Sequence, residues 1–405
     1  MILLALLGGI SILVWLGIFF HPARPWDFQL VGEDLPVAAP PASLERWPTV
    51  CALVPARNEA LSLPATLPAL LQQEYPGTFS VIVIDDRSAD DTAAVARRLA
   101  EQTGATDRLT VVAGTTLPSG WVGKIWALEQ GARTCGFGDP LDSLRPDYLL
   151  LTDADIWHAP DSVRRLVVES EASRLGLNSR MAHLRCVSRP EHFLIPPFVF
   201  FFNLLYPLRW VNDPHKTVAA AAGGCVLLSA DALVRSGGFH AIRAHLIDDV
   251  NLGRRVKQAG FVTRLSLSHS VVKSVRAYET VRAIWSMVRR TAFTELNYSW
   301  LRLAGTLFGM GIIFVVPPLW FISGTVTCLG IWISGAGVSC QPALVLIAEG
   351  TFAWALMTRI YLPAVRFFGL PLAWAWTLPF AAVLYEAMTL DSAFRYATKK
   401  QIDWR

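Results

Sequence analysis

Charge is scarce in this chain. Of its 405 residues only 17% are Asp, Glu, Lys or Arg, and the net charge is +4. With a mean hydropathy of +0.39, the balance is displaced from soluble proteins toward one that gives part of its surface to lipid. No dense Lys/Arg block interleaved with aromatics occurs, which argues against nucleic acid as a partner. The six cysteines, Cys51, Cys135, Cys186, Cys225, Cys328 and Cys340, form no C-x-x-C pair and no metal-ligand spacing. They read as buried, reduced packing residues of a domain in a reducing compartment. The histidines offer no H-x-x-x-H pair for zinc. Missing as well are a G-x-G-x-x-G after an apolar run and any G-x-x-x-x-G-K-[ST], so dehydrogenase and P-loop chemistry are disfavoured. A pyrophosphate ligand would need a metal ion in place of a glycine-rich loop.

What the chain has in quantity is apolar length. Residues 2–20 are uncharged and long enough to cross a bilayer, which takes about 20 residues of helix. No Lys or Arg precedes Arg24, so the basic start of a signal peptide is lacking. Residues 1–21 therefore read as an uncleaved anchor and 22–48 as a Pro-rich linker. Apolar stretches return near 304–334, 341–358 and 367–389, inside a membrane region 303–390 that precedes a basic tail, 391–405. With the N-terminus outside, three such spans would leave Arg395, Lys399, Lys400 and Arg405 outside, against the cytoplasmic preference of cations. A re-entrant stretch, or a kinked pair at 304–334, would remove the conflict. The expected location is the cell inner membrane, multi-pass, with the catalytic domain in the cytoplasm.

Between 49 and 275 the pattern is α/β. The runs 50–56, 80–86, 108–114 and 147–155 are β-rich and uninterrupted, as buried parallel strands are. Helical spacing fills 59–74, 90–103 and 124–135. In such folds ligands bind at the carboxyl ends of the strands, and polar residues fall there: Asn58 and Glu59, Asp85 and Asp86, then Asp153 and Asp155. Asp153-Ala154-Asp155 is the only Asp-x-Asp in the chain. Side chains two apart on an extended segment point the same way, so both carboxylates would face one divalent ion. Ser88, Asp90 and Asp91 read as caps of the following helix.

These residues match a known pattern. Val54-Pro55-Ala56-Arg57-Asn58-Glu59, Val83-Ile84-Asp85-Asp86-Arg87-Ser88, Asp153-Ala154-Asp155, and Asp248-Asp249 with Leu252 and Lys257-Gln258-Ala259-Gly260 resemble family 2 of the inverting glycosyltransferases. That resemblance implies a GT-A, Rossmann-like catalytic domain flanked by transmembrane helices. The membrane segments, Gly120-Trp121-Val122-Gly123-Lys124 and Trp126-Ala127-Leu128 further resemble the bacterial hopene-associated glycosyltransferases of hopanoid biosynthesis. By the resemblance, Pro55, Ala56, Arg57, Glu59, Asp85, Asp86, Lys124 and Asp153 would bind the nucleotide-sugar donor, with a UDP-sugar expected. Asp153 and Asp155 would hold Mg or Mn, and Asp249 would be the general base. Asp248 stands where the family has Glu, which leaves open which carboxylate is the base.

Processive members carry Gln-x-x-Arg-Trp, whereas here the stretch reads Met287-Val288-Arg289-Arg290-Thr291, which argues against a polymerase. Arg289 and Arg290, in an amphipathic region 276–302, either steady the diphosphate or form a basic interfacial patch. Gly223-Gly224 either lets the backbone approach the acceptor or makes a plain turn. His269 is either a further residue near the metal or a packed one. The apolar residues 193–210, with three prolines, suit an interfacial helix serving a lipid acceptor better than a span, with a buried core helix as the other reading. Competing classes are a membrane-bound nucleotidyl- or phosphosugar transferase and a non-catalytic membrane scaffold.

Overall fold

Two runs with no polar alternation, VCALVPA and YLLLT, have to be covered on both faces, and they form the middle of the sheet. The computed structural model describes residues 2–28, 46–138, 145–335 and 338–398, so most of the expected linker and the end of the basic tail lie outside the described residues. The strands are β1 (Val50–Ala56), β2 (Phe79–Asp85), β3 (Leu109–Ala113), β4 (Tyr148–Thr152), β5 (Ile156–His158), β6 (Leu175–Met181), β7 (Cys225–Ser229), β8 (Val262–Leu267) and β9 (Val272–Ser274). Seven of them form one sheet in the order β3-β2-β1-β4-β7-β6-β8, and β5 pairs with β9 in a second, small sheet. The first four strands are parallel, while β7 runs antiparallel to both β4 and β6.

Helices cover both faces of the large sheet. Leu63, Leu67, Val95, Leu99, Val163 and Leu166 belong to one core, and Ile125, Leu128, Phe239, Leu252 and Val256 to the other. Pro55 sits inside a central strand, where a missing N–H would normally break the ladder. The β1–β4 pairing ends at Leu53↔Leu151, so β1 has already lost that neighbour when it reaches the proline. The strand expected over 147–155 is shorter than the sequence suggested. It stops at Thr152, and the Ile156 N–H donates back to the Asp153 carbonyl at 3.1 Å. A turn at 153–155 thus removes the alternation that would have aimed both aspartates one way.

By contacts, residues 2–28, 186–207 and 278–398 group as one unit, and the α/β sheet with its helices as the other. In the first, three helical stretches are long and apolar enough to cross a membrane: Leu3–Phe20, Trp300–Ser334 and Gln341–Phe367. The Trp300–Ser334 stretch is one helix with a π turn at Gly311–Val315, just before Pro317-Pro318. Pro317 has no N–H for the Ile313 carbonyl four residues back, and its ring crowds that oxygen. The freed carbonyl accepts the Ser11 hydroxyl at 3.1 Å and the Trp15 indole N–H at 3.0 Å instead. A polar group in an apolar helix bundle is satisfied in this way, as it must be without water.

Residues 193–205 of the apolar 193–210 region lie in the helix Arg189–Leu205, opened by a capping box at Ser188 and Glu191. Phe200 is fully buried with its ring 5.2 Å from Tyr361, and Phe201 meets Phe314 and Tyr385 at 5.6 and 5.1 Å. The two phenylalanines thus pack on neighbouring helices, and Leu205 is the exposed apolar end of the segment. No disulfide joins any of the six cysteines; Cys51 and Cys225 are buried and the other four half-buried.

Candidate active site

The loops after β1 and β2 are stitched by side chain to backbone bonds. Asn58 N–H donates to Ser88 Oγ at 2.9 Å, Asn58 Oδ1 accepts the Ala89 N–H at 2.7 Å, and Glu59 N–H donates to Thr92 Oγ1 at 2.9 Å. Asn58 and Arg87 hold positive φ of 56° and 54°, a conformation that costs free energy for non-glycine residues and concentrates at functional sites. Asp85 accepts the Ser88 N–H at 3.0 Å. Asp86 is buried, with Arg87 and Arg57 at 3.6 and 3.7 Å. The cap of helix Thr92–Thr103 comes from Asp90, which accepts the Thr92 N–H at 3.1 Å; the Asp91 side chain makes no capping bond.

Four more carboxylates gather at the ends of β4 and at the start of the helix Asp248–Gln258. Lys124, in the first turn of the helix Gly123–Thr134, places its Nζ 2.7 Å from Asp153 and 3.4 Å from Asp248. A cation at a helix N-terminus opposes the helix dipole, so these carboxylates decide its position. Burial penalises the Lys124 ammonium, yet Asp153, Asp248 and Asp249 together hold its pKa well above the ordinary value.

Asp249 accepts two backbone N–H groups, from Gly223 at 2.9 Å and Val250 at 2.8 Å. Burial and then repulsion from Asp248 push its pKa up to about 7, against the pull of Lys124 and the two N–H donors. A carboxylate poised there serves as a base near neutral pH. A Cβ on Gly223 would lie 3.0 Å from Lys124 Nζ and 3.5 Å from Asp249 Oδ2, so a side chain there would press the ammonium aside by a few tenths of an ångström. The Gly224 carbonyl accepts the Thr152 hydroxyl at 2.9 Å. A small cleft is lined by Pro55, Lys124, Asp153, Gly223, Asp248 and Asp249, among others.

Asp155 faces a different cation from Asp153. Arg276, two residues after β9, donates from Nε to Asp155 at 2.5 Å and from Nη2 to Glu59 at 2.6 Å. Burial raises the Asp155 pKa, and the Arg276 pair opposes that rise. Arg276 was not singled out from the sequence. It lies 121 residues from Asp155 and 217 from Glu59, and the only local signal was the short Val271-Val272 pair ahead of it.

Asp153 and Asp155 offer hard carboxylate oxygens, which suit Mg2+ or Mn2+. Among the described residues no group of three or more His, Cys, Asp or Glu is placed to hold an ion. The donor set fits a cation that takes its other ligands from diphosphate and water, as Mg2+ commonly does. His158 is buried between Thr152 and Ser162, and burial lowers its pKa to about 4, so it is a neutral structural link. His269 is exposed and packs against the His183 ring at 5.3 Å.

The profile of glycosyltransferase-like family 2 matches residues 48–294. The chain belongs to this family. The chain is 32% identical over 194 residues, 47% of its length, to an N-acetylglucosaminyltransferase of Mesorhizobium japonicum. It is 26% identical over 245 residues, 58% of its length, to a 4,4'-diaponeurosporenoate glycosyltransferase of Staphylococcus haemolyticus. The chain spans only 40% and 58% of those two relatives. Its fold is shared with a mannosyltransferase of Pyrobaculum calidifontis solved with GDP-Man and Mn2+, at a TM-score of 0.56 and 19% identity over 98% of this chain and 100% of that one. The chain thus has the GT-A α/β architecture, together with helices apolar enough to span a membrane.

Of the candidate residues, Pro55, Lys124, Asp153, Gly223, Asp248 and Asp249 come together in the cleft. Arg289 and Arg290 lie in the helical unit. There Arg289 pairs with Asp391 at 3.3 Å, and the Trp285 indole N–H donates to the same carboxylate at 2.7 Å.

Proposed function

We propose that this glycosyltransferase moves a single sugar, with inversion, from a nucleotide-diphosphate donor to the hydroxyl of a membrane lipid at the cytoplasmic face. The observation that carries the reading is the Lys124 ammonium, which ties Asp153 at the end of β4 to Asp248 beside Asp249. It puts a phosphate-attracting cation and a proton acceptor in one cleft. The acceptor oxygen forms its bond to the anomeric carbon as the bond to the diphosphate breaks, and Asp249 takes the hydroxyl proton. Lys124 attracts the charge that the leaving diphosphate gains. A divalent cation, when bound at Asp153 and Asp155, would neutralise more of that charge. Arg57, Asp85 and Asp86 sit on the stitched loops that suit the base and ribose.

Three candidate spans among the described residues support the orientation. With the N-terminus outside, an odd number returns the basic tail to the side of the catalytic domain, and the helix Leu378–Ala397 is not among the spans. Membrane helices, the exposed apolar residues along them and a relative named for glycosylating 4,4'-diaponeurosporenoate support a lipid acceptor. The resemblance noted in the sequence points to a hydroxylated hopanoid. The test uses the full chain in liposomes with candidate UDP- and GDP-sugars and a lipid extract. We expect one nucleoside diphosphate released per glycolipid formed. Release of pyrophosphate, or transfer only to water-soluble acceptors, would refute the reading.

A further inference from the structure

We infer that Arg276 is an internal counter-ion that occupies Asp155 and Glu59 while the site is empty, and so couples divalent-cation binding to the arrival of the donor diphosphate. The inference rests on the reading of Asp153 and Asp155 as the cation's ligands. Its origin is the register of the small sheet. Ile156 on β5 pairs with Ser274 on β9, and the Val275 N–H donates to the Asp155 carbonyl at 2.9 Å, so Arg276 leaves the strand beside Asp155. Its guanidinium then bridges Asp155 and Glu59 at 2.5 and 2.6 Å.

The members of this triad are unequally fixed. The Asp155 and Glu59 side chains are 11% and 16% exposed, whereas Arg276 is 38% exposed. Both carboxylates also sit on segments pinned by backbone bonds, through Val275 and Thr92. The arginine is therefore the partner that can turn toward solvent or toward a ligand.

Charge decides when it turns. Asp153 and Asp155 each have a cation already, Lys124 and Arg276. A dication added alone would meet two positive groups at the carboxylates it needs, at separations where repulsion is strong in a partly desolvated cleft. A diphosphate supplies the missing negative charge and offers the guanidinium a bidentate partner. Arg276 then exchanges a carboxylate for phosphate oxygens, and Asp155 is released to the cation. Coupling of this kind is reciprocal, so cation and nucleotide strengthen each other equally.

The test measures Mn2+ binding by electron paramagnetic resonance and calorimetry, on the full chain, with and without uridine or guanosine diphosphate. The wild-type protein should bind Mn2+ weakly alone and at least roughly tenfold more tightly with the matching nucleotide, within the usual range of coupling between sites. Arg276→Ala should bind Mn2+ alone about tenfold more tightly than wild type, and its nucleotide effect should shrink by the same factor to the part that comes from direct ligation by the diphosphate. Arg276→Lys, which keeps the charge without the fork, should fall between. If folded Arg276→Ala binds Mn2+ alone no better than wild type, Arg276 is only a structural tie and the inference is overturned. If no protein binds Mn2+ even with nucleotide, the inference falls together with the reading of Asp153 and Asp155 as metal ligands.

Discussion

The carboxylates after β2 and those after β4 stand on the same edge of one sheet but are held by different forces. Around Asp85 and Asp86 the loops are fixed by neutral bonds through Asn58, Ser88 and Thr92, and the nearby arginines stand off at 3.6 and 3.7 Å. Around Asp153, Asp155 and Asp248 the contacts are ionic, with Lys124 2.7 Å from Asp153 and 3.4 Å from Asp248, and Arg276 2.5 Å from Asp155. Neutral bonds to backbone depend on geometry and keep a loop in one shape. Ion pairs re-sort when a new charge enters, because their energy follows whichever opposite charge is closest. In the proposed reading, the half of the site given to base and ribose keeps its shape, and the half given to diphosphate and acceptor changes partners.

The comparison breaks most severely at Asp249. Asp249→Asn should lower turnover by about 10²–10⁴-fold, the contribution of a general base, while donor affinity measured by calorimetry stays within a few-fold. A larger loss from Asp248→Asn would transfer the role to Asp248. Next in size is Asp155→Asn, which keeps a hydrogen-bonding group for Arg276 but removes a hard anionic ligand. We expect roughly a hundredfold loss of turnover, since a metal clamp supplies several kcal/mol of charge stabilisation. Wild-type enzyme should lose activity in excess chelator, and full activity there would remove the metal from the scheme.

Asp249 also predicts a pH dependence with opposite signs for activity and stability. Its pKa is raised to about 7, above the value of about 3.9 for an unfolded aspartate. The folded protein therefore binds more protons than the unfolded chain between those values, and this residue's contribution to stability falls as pH rises through that window. Activity moves the other way: kcat/KM of the free enzyme should drop about tenfold per unit below pH 7 as the base is protonated. Asp249→Asn should flatten the stability change between pH 4 and 7, measured by urea denaturation. An unchanged slope would mean that the carboxylate is not desolvated.

Half of this site was legible because it is local. Asp85-Asp86 and Asp153-Ala154-Asp155 each end an apolar run, so a strand and its ligand-facing end can be read together. The partners were not legible. Lys124 was singled out only from its surrounding motif, and its grip on Asp153 and Asp248 depends on how a helix packs on the sheet. Arg276 depends on β9 meeting β5 across more than a hundred residues. The packing of the apolar helices was out of reach for a related reason. Residues 193–210 have the composition of an interfacial helix, yet Phe200 is fully buried, because composition does not say which neighbours an apolar face will find.

The smallest expected effect tests the rigid half. Ser88→Ala removes the oxygen that accepts the Asn58 N–H at 2.9 Å, a bond exposed to solvent. Water can replace an exposed acceptor, so the loss of stability should lie near about 0.5 kcal/mol, the low end for one hydrogen bond. The bond also joins two loops in which Asn58 and Arg87 hold positive φ, and the neighbouring Arg57, Asp85 and Asp86 carry the side chains that face the nucleotide in the proposed reading. Relaxing them should cost pre-organisation and raise the donor KM about two- to fivefold, the equivalent of roughly 0.4–1 kcal/mol. The turnover number should be unchanged, because Asp249, Lys124 and Gly223 are held by bonds that do not involve Ser88. Steady-state kinetics separates the two parameters. A fall in kcat comparable to that of Asp155→Asn would mean that the stitched loops and the ion-paired carboxylates act as one unit, and the division between the two halves would have to be abandoned.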